Sequence, residues 1–118
     1  MGWKILFLFV IAIVIGFVLL GNGLCGNEEL SRYISPDGKV DAVAFMRNCG
    51  ATTSYSLHIS IVPSGKRIRK RKTGNVYISD YCLTDYHWTS DSELIIERKE
   101  RGEVFKSETS FRGYSVSY

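Results

Sequence analysis

Histidine is scarce in this chain, with two in 118 residues, His58 and His87, and three cysteines, Cys25, Cys49 and Cys82, complete the stock of soft or imidazole ligands. Their spacings match no compact zinc pattern. Only Cys82 and His87 lie close, with four residues between them, so no metal site and no cofactor is expected. Proline is confined to Pro36 and Pro63, each beside glycine or serine in a turn-like cluster. A strong charge of one sign is also missing. Fifteen Lys and Arg against twelve Asp and Glu leave +3, too little by itself to argue for nucleic acid, which binds through several clustered cations acting together. No turn motif recurs with its own set of strands, which excludes a tandem array.

From Ile5 to Leu20 polar side chains are absent altogether. A head of Met1-Gly2-Trp3-Lys4 precedes this run, and Trp3 to Leu24 contains a single charge, Lys4. As a helix those 22 residues would measure about 33 Å, enough to cross a bilayer. Soluble cores seldom hold so long an unbroken apolar run, so residues 1–24 are read as a hydrophobic export signal. The first reading is an uncleaved anchor. Cleavage after Gly23 comes second, because Gly21 and Gly23 are small at the positions a signal peptidase inspects. A lipoprotein signal acylated at Cys25 is disfavoured by the bulky Leu24 before the cysteine. Export signals keep their N-terminus in the cytoplasm, and the nearest charges beyond the run are Glu28 and Glu29, which together place the remaining chain on the extracytoplasmic side of a single-pass membrane protein.

Residues 25–34 read as a linker, and 35–118 as one small exported domain. Ser35-Pro36-Asp37-Gly38 has the residues a tight turn requires: proline sets φ, aspartate caps locally and glycine accepts positive φ. Lys39 to Arg47 follows as a strand. From Tyr55 to Ile61 the alternation is clean, with Tyr55, Leu57, Ile59 and Ile61 on one side and Ser56, His58 and Ser60 on the other. Asn75 to Asp80 is a further strand with Val76 and Ile78 facing one way. Trp88 to Asp91 reads as a turn before a strand over Glu93 to Lys99, and Arg101-Gly102 can turn the chain back into Val104 to Phe111. Tyr114 to Tyr118 adds a last segment. Five or six short strands at this spacing predict a mainly β fold: an N-terminal transmembrane helix followed by a small antiparallel meander, curled into a sandwich or open barrel.

Positive charge is concentrated in one place. Six of the seven residues from Lys66 to Lys72, namely Lys66, Arg67, Arg69, Lys70, Arg71 and Lys72, are basic, interrupted by Ile68, in a connection between two strands. Beside the plain reading of a solvated loop, such a run suits contact with an anionic membrane surface or envelope polymer, or docking of an acidic protein. Nucleic acid is disfavoured by the compartment. The aromatics from Tyr81 to Trp88 are expected to pack on the sheet, with a protein-binding patch as the alternative.

Two resemblances are carried by motifs. Ser35-Pro36-Asp37-Gly38-Lys39 with the strand after it, Val76-Tyr77-Ile78, and Trp88 before Ser90-Asp91 resemble one blade of a TolB-type β-propeller, which implies four-stranded local geometry and no function, since one blade cannot close a propeller. With Cys49-Gly50-Ala51-Thr52-Thr53, Gly74-Asn75-Val76-Tyr77-Ile78 and Trp88-Thr89-Ser90-Asp91-Ser92-Glu93-Leu94 added, the chain from about Ser35 to Ile96 resembles a family of small uncharacterised bacterial envelope proteins, many of them lipoprotein-like. That resemblance implies an envelope location without an established activity. Paired cysteines at similar places suit the family, and Cys25 with Cys49 would also clip the linker onto the sheet; Cys49 with Cys82 is the alternative.

The expected function is a non-enzymatic, membrane-anchored binding or accessory module of the envelope. An immunity or inhibitor protein against a toxin or hydrolase is a second reading. A thiol-dependent enzyme centred on Cys49, with glycine and hydroxyl residues behind it, is a third, though it lacks a positioned base.

Overall fold

The computed structural model describes residues 2–23, 25–50, 55–69, 72–81 and 84–118, with helix side chains described as far as Gly16. Helix α1 runs Gly2–Gly23 and is followed by nine strands: β1 Gly26–Ile34, β2 Val40–Asn48, β3 Ser56–Pro63, β4 Tyr77–Asp80, β5 Thr84–Ser90, β6 Glu93–Arg98, β7 Val104–Ser107, β8 Ser110–Phe111 and β9 Tyr114–Ser117. They form a five-stranded sheet, ordered β1-β2-β3-β4-β7, and a four-stranded sheet, ordered β5-β6-β9-β8. The expected mainly β architecture is therefore present, in two sheets with a helix before them.

The expected membrane span is met only as a helix. Among the described residues no helix is long and apolar enough to cross a membrane, and the stretch over Trp3–Leu24 runs past the side chains described. What is described of α1 makes no core: Trp3, Ile5 to Ile11 and Ile13 to Ile15 are between 39% and 72% exposed.

The segment read as a linker is the first strand. Its residues pair with β2 from Gly26↔Asn48 to Ile34↔Asp41, and the Ser35–Gly38 turn closes this hairpin. Sequence gave no warning, because β1, with the sequence GNEELSRYI, is an exposed edge strand without clean alternation. In the turn, Gly38 N–H donates to Ser35 O at 2.8 Å with Gly38 at φ 74°, and Ser35 Oγ donates to Asp37 Oδ1 at 2.7 Å. Cys25 and Cys49 stand one position beyond the last ladder pair and are joined as a disulfide, which staples the open end of the hairpin. The bond encloses 24 residues of separation, so replacing both cysteines by serine is expected to cost about 3 kcal/mol through loop-closure entropy. The urea midpoint of the full chain in zwitterionic micelles reads this; an unmoved midpoint would refute it.

Three further readings need correction. The purely antiparallel meander fails at β6 and β9, which pair in parallel, Leu94↔Val116. Arg101-Gly102 does not make a hairpin either, because β7 leaves β6 and pairs with β4 of the other sheet, Tyr77↔Ser107. Trp88 to Ser90 belongs to β5, with the turn at Asp91-Ser92.

The core lies between the sheets. Ala42, Ala44, Leu57, Ile59, Ile61, Val76 and Tyr77 from one side meet Tyr86, Leu94, Ile96 and Val116 from the other. A β-bulge at Leu30 shifts the β1–β2 register, and the Ala44 N–H donates to the Tyr86 hydroxyl at 3.2 Å, with Ser31 Oγ 2.7 Å from the same oxygen. Trp88 Nε1 donates to Tyr33 O at 2.9 Å across the same edge, and Tyr33 packs on Tyr86 with ring centres 4.8 Å apart. At the far side the Tyr118 hydroxyl donates to Glu108 O at 2.7 Å and lies 3.3 Å from Val76 O; burial first, then Tyr77 and Glu108, push its pKa up to about 12.

Candidate functional site

The second face of the larger sheet is also buried, which alternation in β3 did not predict. Asp41, Val43 and Phe45 of β2 and His58 and Ser60 of β3 are all at most 4% exposed, although none of them faces the other sheet. The connection between β3 and β4, which carries the basic run, bonds Asp41, His58 and Ser60 through its described residues, 64–69 and 72–75. Polar residues on β3, which alternation set on the side opposite the apolar ones, thus face a packed peptide chain.

Most anchors of this cover are side chains of the sheet that capture backbone of the connection, and Ser64 and Asn75 reach the sheet with their own side chains. Arg32 Nη2 donates to Lys66 O at 2.9 Å, Asn27 Nδ2 donates to Arg69 O and to Lys72 O at 2.8 Å each, and Arg47 Nη1 donates to Lys72 O at 3.2 Å. Asp41 receives Ser64 Oγ and Gly65 N–H at 2.9 Å each, and Arg32 Nη1 at 2.6 Å. Burial works to raise the Asp41 pKa, but hydrogen bonds from Gly65, Arg32 and Ser64 outweigh it and hold the carboxyl below its ordinary value. At the other end Gly74 N–H donates to His58 Nδ1 at 2.9 Å, so the ring proton sits on Nε2, 2.7 Å from Ser56 Oγ. Phe45 stacks on that ring with centres 5.1 Å apart. Burial, then the charge of Arg47, lower the His58 pKa from 6.5 to about 4. Asn75 finishes the cover by bonding Ile61 twice, Oδ1 to its N–H and Nδ2 to its C=O, both at 2.8 Å, as a neighbouring strand would.

Turning the carbonyls inward turns the cationic side chains out. Lys66, Arg67, Arg69 and Lys72 are exposed while Ile68 is half-buried. Among the described residues none of these four cations has a carboxylate partner. Lys70 and Arg71 lie outside the described residues. The four described cations line one cleft of about 300 Å³, together with Phe111 and Arg112 of the β8–β9 turn. Sequence reasoning missed these last two. Arg112 at φ 47° and Gly113 at φ 86° form a two-residue hairpin loop of the kind that needs positive φ twice, and the Arg112 guanidinium sits 5.3 Å from the centre of the Phe111 ring. The Phe-Arg-Gly-Tyr stretch between two short strands was the available signal for the turn; nothing local linked it to the basic run.

The remaining candidates separate. Cys49 has its sulfur bonded to Cys25, which leaves no thiolate for the nucleophile reading and no free Cys25 sulfur for acylation. Ala51 to Ser54 and Cys82 lie outside the described residues. His58 is locked by Gly74 and Ser56, and His87 is exposed on β5. Among the described residues no group of His, Cys, Asp and Glu could hold a metal ion. Of the aromatic stretch, Tyr86 is buried, Trp88 half-buried and Tyr81 exposed, so most of it packs against the sheets. Comparison with family models, with curated proteins and with solved structures finds no match to this chain.

Proposed function

We propose that this chain is a signal-anchored, single-pass envelope protein whose β-domain acts outside the cytoplasm as a non-enzymatic binding or accessory module, with the basic connection as its binding surface against anionic membrane. The observation that carries the reading is the double hydrogen bond from Asn27 to the Arg69 and Lys72 carbonyls. Asn27 stands four residues beyond Gly23, the last residue of α1, a reach of at most about 14 Å even in extended chain. A cationic stretch remote in sequence is thereby held beside the end of the anchor. Each cation near an anionic surface contributes on the order of 1 kcal/mol, so several held together act as a second attachment.

Three features support the anchor. The sequence from Ile5 to Leu20 is unbroken apolar or glycine, the segment lies in a 22-residue helix, and its described side chains beyond Lys4 are apolar and mostly exposed. A helix hydrophobic all round requires an apolar environment. The Cys25–Cys49 disulfide suits an oxidising compartment, and the motif resemblance to small bacterial envelope proteins points the same way.

A C-terminal fusion to an enzyme active only outside the cytoplasm, combined with intact mass of the membrane-extracted protein, tests this. Expected are an active reporter, full-length mass, and one alkylatable thiol before reduction against three after it. An inactive reporter, or protein released by alkaline carbonate, would overturn the reading.

A further inference from the structure

We infer that the cleft between the 64–75 connection and the β8–β9 turn binds the phosphate headgroup of an anionic phospholipid from the membrane that holds α1; this deepens the reading above and rests on it. Lys66, Arg67, Arg69, Lys72 and Arg112 converge on it from two places about forty residues apart in sequence, and among the described residues no acidic one lines it. None of the five has a carboxylate partner among the described residues, so the cleft carries positive charge that the fold leaves without compensation. Its size, about 300 Å³, is at the lower end for small-ligand sites and suits a headgroup.

The site is also built before any ligand arrives. Asn27, Arg32 and Arg47 hold the backbone of the connection, Asn75 holds its end against Ile61, and Arg112 is steadied over Phe111. Ordering entropy is therefore largely spent in folding. Two features choose a lipid over free phosphate. The Phe111 ring and half-buried Ile68 place apolar surface beside the cations, which matches glycerol and the first acyl carbons, and Asn27 ties the cleft's wall within four residues of the helix end. An anionic polymer would call for an extended cationic track, whereas these cations close around one cleft.

Native mass spectrometry of the full chain, released from zwitterionic micelles holding equal phosphatidylglycerol and phosphatidylcholine, tests the inference. The expected result is about a tenfold preference for phosphatidylglycerol adducts, the scale that two or more cations near a phosphate supply. Arg67→Gln with Arg112→Asn should bring the preference close to parity, while Lys39→Gln with Arg101→Gln, the same charge removed outside the cleft, should preserve it. Retention in the first pair, or equal loss in both, overturns the site. Lys66→Gln with Arg69→Gln repeats the test should the first pair not fold, as judged by melting and by the protected disulfide. Displacement of the lipid by millimolar inorganic phosphate that itself raises the melting temperature would assign the cleft to free phosphate and overturn the lipid claim. Because adducts are read in micelles, a chain that fails export yet keeps the preference refutes the envelope reading alone, and an exported chain without preference refutes the cleft alone.

Discussion

Gly74→Ala is expected to destabilise the domain by about 3 kcal/mol, a large part of the 5–15 kcal/mol that holds a domain folded. A Cβ on Gly74 would stand 2.5 Å from Tyr77 O, 3.0 Å from Ile59 O and 3.1 Å from His58 Cβ. The first two are backbone oxygens of the five-stranded sheet, so neither can swing aside as the end of a flexible side chain would. The conflict is one of close approach, since Gly74 carries no positive φ. Relief requires the connection to lift from the sheet, which breaks the Gly74 N–H bond to the buried His58 Nδ1. Gly26→Ala is the control, because its Cβ would meet nothing within 4 Å, and its effect should stay within about 0.5 kcal/mol. Denaturant unfolding of the full chain in zwitterionic micelles measures both. Equal midpoints for the two variants would show that the connection does not press on the sheet as described.

Acid should loosen the same cover, in two steps of known sign. His58 is neutral in the fold and its pKa is lowered from 6.5 to about 4, so above 6.5 its titration leaves stability unchanged. As pH falls through 6.5 the unfolded chain takes up a proton that the folded chain refuses, and stability declines until the folded ring titrates near 4, a loss on the order of 3 kcal/mol. Protonation at that point removes the acceptor for Gly74 N–H. Asp41, whose carboxyl is held below its ordinary value, contributes stability above pH 3.8 that is lost below it, as protonation weakens its bonds to Arg32, Ser64 and Gly65. The pH profile of the urea midpoint should therefore fall from pH 6.5 downward. In His58→Gln, where the amide oxygen can still accept from Gly74, the limb between 6.5 and 4 should flatten and the limb below 4 remain. Parallel profiles for the variant and the native chain would exclude His58 as the cause.

Both experiments bear on the proposed cleft, because the connection that carries its cations is held by the bonds to His58 and Asp41 that each experiment weakens. On the proposal of a lipid site, Gly74→Ala and acid should each reduce the preference for anionic lipid before the two sheets themselves unfold.

Local patterns read correctly where one short stretch carried its own reason. The apolar run to Leu20 indicated the helix, Ser35-Pro36-Asp37-Gly38 the turn, and Tyr55 to Ile61 a strand with Leu57, Ile59 and Ile61 toward the core. The pairing of Cys25 with Cys49 was the first of two alternatives and rested in part on resemblance. Its geometric reason, two ends of one antiparallel ladder, became visible only with β1 assigned as a strand. β1 itself was missed because an exposed edge strand need not alternate. The parallel β6–β9 pair and the crossing of β7 to the other sheet join strands that are distant along the chain, which no local period encodes.

The chemistry divides in the same way. By itself the sequence determined that there is an apolar N-terminal helix, a small β-domain and six cations in one connection, because charge and hydropathy are properties of each residue in its place. Only the tertiary structure decided that the Lys66, Arg69 and Lys72 carbonyls of this connection turn to side chains of the sheet, that the buried His58 and Asp41 bond to its backbone, and that Arg112 and Lys72 line one cleft. The physical reason is that hydrogen bonds from Asn27, Arg32 and Arg47 join segments up to 45 residues apart, and such contacts form only after the sheet has brought their ends together.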